Sequence, residues 1–106
     1  MHEFIGSWQI VWLSTWPTNQ VNLKEAGLFT FFEGQSGKFQ FGTHQGSMDV
    51  RVSTREPRLE FSWLGESDGK KSFGRGWLEF ETPDEGAGML FIHGGKEVGL
   101  ELRRKT

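Results

Sequence analysis

From residue 27 to residue 104, apolar side chains recur at every second position, in runs separated by short connections that mostly carry glycine. A period of two is that of a β-strand, whose successive side chains point to opposite faces of a sheet. The expected strands are Gly27–Glu33, Lys38–His44, Ser47–Arg55, Arg58–Leu64, Ser72–Thr82, Ala87–His93 and Lys96–Arg104. An earlier strand, about Phe4 to Leu13, places Trp8, Ile10 and Trp12 on one face and Gln9, Val11 and Leu13 on the other. Both of its faces are largely apolar, as in a strand covered on both sides. Ser14 to Ala26 has no alternation, and Thr18 to Glu25 predicts a short helical turn capped by Thr18 or Asn19.

The connections set a register. Two-residue hairpins at Gln45-Gly46 and Gly94-Gly95 suit glycine's access to positive φ. The first places Phe41 opposite Val50 and Phe39 opposite Val52; the second places Met89 opposite Leu100 and Phe91 opposite Val98. A turn at Glu56-Pro57 sets Val50 against Trp63 and Val52 against Phe61, and one at Pro83–Gly86 sets Phe80 against Met89 and Leu78 against Phe91. In the hairpin around Gly65–Lys71, Trp63 faces Gly74 and Phe61 faces Gly76. Apolar residues then meet across every pair, which a one-residue slip would undo. An open sheet of eight strands leaves two long edges, and closure removes them. The expected fold is therefore all-β: an eight-stranded antiparallel up-and-down (meander) barrel with a short capping segment after the first strand. At that strand number the interior is either filled by side chains or holds one small ligand.

Length and composition bound the rest. A chain of 106 residues reads as a single domain spanning 1–106. Ten Phe and five Trp without a Tyr supply aromatic bulk for burial, and fifteen Gly disfavour long helices. A net charge of −2 offers no basic field for nucleic acid. No run is long enough to span a membrane as a helix, and Met1-His2-Glu3 does not resemble a signal peptide, so a cytoplasmic location is expected. Without Cys there is neither a disulfide nor thiolate chemistry. Nothing in the sequence signals a cofactor or a metal site.

Three departures from the alternation mark candidate sites. Gly74 and Gly76, set inward against Trp63 and Phe61, either leave a gap for a ligand or lie beneath the rings that fill it. His93 falls on the same inner face beside Gly76, where it is either a donor toward a ligand or a structural residue ending its strand. On the outer face Gln40, Arg51, Ser62 and Arg75 form a row across four strands. That row is either an anion clamp or a solvated surface with Asp49 and Glu60 as counter-charges. Trp77, opposite Ile92 and near Leu64, adds an exposed apolar patch of the kind found at interfaces. A reversed barrel, with the polar row lining the lumen, would expose Phe39, Phe41, Phe61, Trp63, Leu78 and Phe80 unless a second subunit covered them.

Gly6-Ser7-Trp8, on the first strand, is similar to the Gly-x-Trp motif of the calycin barrels (lipocalins, fatty-acid-binding proteins and avidins). The resemblance implies an Arg from the last strand packed across the Trp, here Arg103 or Arg104. The Thr-Asp-Tyr motif of lipocalins has no counterpart. From Phe29 onward the chain also resembles a set of small uncharacterised bacterial β-barrel proteins. That likeness rests on Phe39-Gln40-Phe41-Gly42, Gln45-Gly46 with Asp49 and Arg51, Phe61-Ser62-Trp63, Gly74-Arg75-Gly76-Trp77 and His93-Gly94.

Two functions are expected from these residues. In the first, a non-enzymatic barrel binds a small apolar or amphipathic molecule in its interior or mouth, through Phe61, Trp63, Gly74, Gly76, Phe91 and His93. In the second, the barrel is a protein-interaction module or homodimer using Gln40, Arg51, Ser62, Arg75, Trp77 and Ile92 on its outer face. An enzyme ranks third, because no nucleophile–base spacing, paired carboxylates or phosphate loop is present.

Overall fold

The computed structural model describes residues 4–14, 27–52, 58–95 and 97–105. Its eight strands are β1 (Gly6–Leu13), β2 (Leu28–Phe32), β3 (Ser36–Phe41), β4 (His44–Val52), β5 (Arg58–Ser67), β6 (Lys70–Thr82), β7 (Glu85–Ile92) and β8 (Glu97–Arg104). Each pairs antiparallel with the next, and β8 pairs with β1 to close the barrel. Alternation and glycine turns thus produce the expected up-and-down barrel. The expected turn at Thr18–Glu25 and the Glu56-Pro57 connection lie outside the described residues.

The aromatic side faces inward. Trp8, Phe29, Phe31, Phe39, Phe41, Phe61, Trp63 and Phe80 are all buried, and no polar or charged residue is buried among those described. The reversed barrel, with the arginines inside, is therefore not adopted. Phe39 sits at the centre of the packing, stacked on Phe29 at 5.2 Å and edge-on to Trp63 at 5.2 Å. Ring pairs in these geometries add to what area burial alone contributes.

Five inward glycines lie directly opposite an aromatic residue: Gly37 opposite Phe31, Gly46 opposite Phe39, Gly74 opposite Trp63, Gly76 opposite Phe61 and Gly86 opposite Phe80. A Cβ on Gly76 would fall 2.3 Å from Phe61 Cζ, and one on Gly46 would fall 2.8 Å from the Phe39 ring. At Gly46, Gly76 and Gly86 the missing side chain is the space that the facing ring occupies, which is how a narrow barrel accommodates so many large residues.

The register differs from expectation in five places. In the first hairpin the turn is Gly42-Thr43, not Gln45-Gly46, so Phe41 faces His44 and Phe39 faces Gly46. Gly42 supplies the positive φ of 54° that this turn needs. The pairing moves by an even number of residues, so every side chain keeps its face. Across β4 and β5 the shift is two residues: Val50 faces Phe61 and Val52 faces Leu59. The faces again survive.

Two further differences reverse a face. β6 and β7 join through Pro83-Asp84, and Glu81 is an extra, unpaired residue between the pairs Phe80–Gly86 and Thr82–Glu85. That one-residue bulge turns Met89 and Phe91 outward and Leu90 inward, contrary to the expected inward Met89 and Phe91. Across β7 and β8 the shift is one residue: Leu100 faces Gly88 and Val98 faces Leu90, in place of the expected Met89 and Phe91, which restores the expected phase and leaves Val98, Leu100 and Leu102 buried. A second bulge in β1, between Ile10 and Trp12, sends Leu13 inward and leaves Trp12 48% exposed, again opposite to expectation.

The barrel seam is held by Arg104. Its guanidinium lies 4.3 Å from the centre of the buried Trp8 ring, and its Nη1 and Nε donate to the carbonyls of Ile5 and Pro83, each at 3.1 Å. Trp8 Nε1 donates to the Phe4 carbonyl, so the buried indole has its one donor satisfied.

Candidate functional site

The long hairpin β5–β6 does most to position the candidate residues. Its turn, Asp68-Gly69, has φ of 53° and 79° at its two positions, the handedness that matches the twist of the strands it joins. From this turn the pairing runs unbroken through Gly65–Ser72, Trp63–Gly74, Ser62–Arg75 and Phe61–Gly76, as expected from the sequence.

The expected ligand set divides between two faces. Phe61, Trp63, Gly74 and Gly76 are on the inner side; Gly76 faces Leu90 across β7, not His93. His93 is exposed and its ring stacks on Phe73 at 4.5 Å, while Phe91 pairs with Arg75 on the outer face. The inward placement of Phe91 and His93 is thus corrected by the Glu81 bulge. Even so, Trp63, Gly74, Phe91 and His93 meet again at an exterior cleft of about 520 Å³, together with Ser62, Phe73, Arg75 and Ile92. Gly74 makes this possible. It has no side chain to separate the cleft from the Trp63 indole, whose Nε1 donates to the Phe91 carbonyl at 3.3 Å.

The polar row is reassembled as well. Ser62 faces Arg75 on one side, as expected, but Asp49 and not Arg51 on the other, and Ser36 lies beyond Asp49. Arg51 pairs with Glu60 across the strands and bonds Asp49 at 2.7 Å, an exposed ion pair of small worth. Gln40 sits between Leu28 and Gln45, away from this group. The Arg-Ser-Arg clamp is therefore not formed. Arg75 has no ion-pair partner among the described residues. Ile92, expected outward opposite Trp77, faces Gly74 and packs against the core, and Trp77 faces Met89 instead.

Two large residues carry the exterior and were not singled out as site residues. Leu64 is 66% exposed and Phe73 50% exposed, and they face each other across β5 and β6. The available signal was adjacency: in Trp63-Leu64 one of two neighbouring apolar residues must point away from the core. Trp77 continues this surface, with the Arg58 guanidinium 4.5 Å from its ring and Arg58 bonded to Glu79 at 2.8 Å.

Beside the Asp68-Gly69 turn His44 Nδ1 lies 2.6 Å from Ser67 Oγ, next to a hydrogen bond from Thr43 to Asp68. Burial pushes the His44 pKa below its ordinary 6.5, and the Asp68 carboxylate partly opposes that shift. Ser67 is the direct cross-strand neighbour of His44, so the pair joins two hairpins. Among the described residues no group of three or more His, Asp or Glu could hold a metal ion.

No family model, curated protein or solved structure matches the chain.

Proposed function

We propose that this protein is an interaction module that works through the outer face of β5 to β7. The observation that carries this reading is the exposed apolar pair Leu64 and Phe73, extended by the stacked His93 and by Phe91, Met89 and Trp77 around the Arg75 cation. Isolated surface apolar residues are ordinary, but a contiguous patch with a central Arg has the make-up of an interface core. The interior favours the same choice, because the Phe61 ring occupies the space over Gly76.

A second copy of the chain is the first partner to test. Sedimentation is expected to show concentration-dependent self-association that Leu64→Ser with Phe73→Ser abolishes. A strict monomer, with Trp77→Ala unchanged in mass and solubility, would sink this reading.

A small amphipathic ligand at the exterior cleft is the second reading. Four of its expected residues, Trp63, Gly74, Phe91 and His93, line that cleft beside Arg75. We further infer that the barrel is of the calycin type. The Arg104 guanidinium across the buried Trp8 of Gly6-Ser7-Trp8 supports this, since it is the arrangement that the resemblance implies.

A further inference from the structure

A second groove, of about 480 Å³, crosses the outside of β6, β7, β8 and β1, with Trp77 and Trp12 among its lining residues. Both bulges of the described sheet deliver a side chain to it. The β1 bulge turns Trp12 out of the inward series begun by Trp8 and Ile10, and the β6 bulge adds Glu81. Bulges of this kind re-aim side chains, and here the result is an exposed indole that the core could have buried.

The floor between is kept low by small residues. Ala87 lines it, and a Cβ on Gly99 would stand 3.4 Å from Trp12 Cζ3 and 3.6 Å from Met89 Sδ. Three carboxylates, Glu79, Glu81 and Glu101, edge the groove, and among the described residues no Lys, Arg or His lines it. Neither Glu81 nor Glu101 has an ion-pair partner among the described residues. On the β5 side of Trp77 the protein already shows what such a surface holds: Arg58 lies over the indole and bonds Glu79. Indole faces attract cations, and nearby carboxylates add to that attraction.

We propose that this groove docks a basic peptide segment of a partner protein, with Lys or Arg side chains lying against Trp12 and Trp77 and facing the three glutamates. An open trough across four strands, with separated carboxylates, suits an extended segment better than one compact ion. The chain's own Arg104 is committed to Trp8 and does not supply the occupant. The groove adjoins the face proposed above at Trp77 and Met89 but does not depend on it.

The probe is a short acetylated and amidated peptide carrying three lysines, compared with its norleucine counterpart by calorimetry in low salt. The lysine peptide is expected to bind and to weaken as salt rises. Trp12→Ala is expected to weaken it about threefold to tenfold, and Glu81→Gln with Glu101→Gln by a similar factor. Circular dichroism confirms that each variant is folded. Leu64→Ser with Phe73→Ser, which removes the other face, should leave peptide binding unchanged. Equal binding of lysine and norleucine peptides, no binding of either, or indifference to Trp12 and both glutamates would overturn the proposal. Tetramethylammonium binding as tightly as the peptide would overturn the assignment to a peptide segment.

Discussion

Gly76 shows at residue scale how the same glycine can be read in opposite ways. On the inner face of a barrel it suggests either a vacancy or a ring laid over it, and the alternation of its strand is identical in both cases. Phe61 Cζ lies 2.3 Å, and the Met89 carbonyl oxygen 2.7 Å, from where its Cβ would be. Gly76→Ala is therefore expected to cost about 2–3 kcal/mol by overpacking, measured by urea denaturation. Wild-type stability in that variant would mean that the gap is real, and would restore the interior as a ligand site. His44 makes a pH-dependent contribution. Its folded pKa is depressed below 6.5 by burial, so below pH 6.5 the unfolded chain takes up a proton that the folded chain resists. The stability supplied by neutral His44 is complete above pH 6.5 and is lost as pH falls through the lower folded pKa. Denaturation midpoints of wild type and His44→Gln are expected to converge on that descent. A difference independent of pH would reject the assignment.

At the scale of elements, turn chemistry and bulges decide how strands meet. The Asp68-Gly69 turn requires left-handed backbone at both positions, which Asp tolerates and Gly adopts freely. Replacing the pair by Ala-Ala is expected to destabilise the protein by about 2–3 kcal/mol, whereas Asp68→Asn should hold the turn. Thermal melts of the two variants check this; equal loss in both would point to the Asp68 charge instead of the backbone. The β5–β6 register was legible because this hairpin is uninterrupted and its two inward aromatic residues, Phe61 and Trp63, each have a glycine opposite. β7 was not legible, because both of its faces carry apolar or small residues: Gly88, Leu90 and Ile92 on one, Ala87, Met89 and Phe91 on the other. Alternation has no contrast to work with there, and the extra residue at Glu81 leaves no local mark. Trp12 was misplaced for the same reason, since Trp12 and Leu13 are both suited to the core.

For the molecule as a whole, closure depends on residues almost the full chain apart. Arg104 stacks on Trp8, donates to Ile5 and Pro83, and lies 3.6 Å from the Asp84 carboxylate. Lysine keeps the charge but has neither the planar fork nor the stacking surface. Arg104→Lys is therefore expected to lose about 1–3 kcal/mol, seen as a lower urea midpoint with unchanged slope. An unchanged midpoint would show that strand pairing alone closes the barrel. The two exterior grooves belong to this scale too, since each combines side chains from three or four strands.

By itself the sequence determined the strand count, the meander and the inward direction of Phe39, Phe61, Trp63, Leu78 and Leu100, because a period of two and glycine-marked turns act within a few residues. An even error in turn position, as at Gly42-Thr43, leaves those directions intact. Tertiary structure decided which face Met89, Phe91, His93 and Trp12 present. A bulge shifts a strand by one residue in response to how the closed barrel packs, and that packing is a property of all eight strands together. The candidate binding surfaces are built on those reversed residues, which is why their positions could be named from the sequence while their arrangement could not.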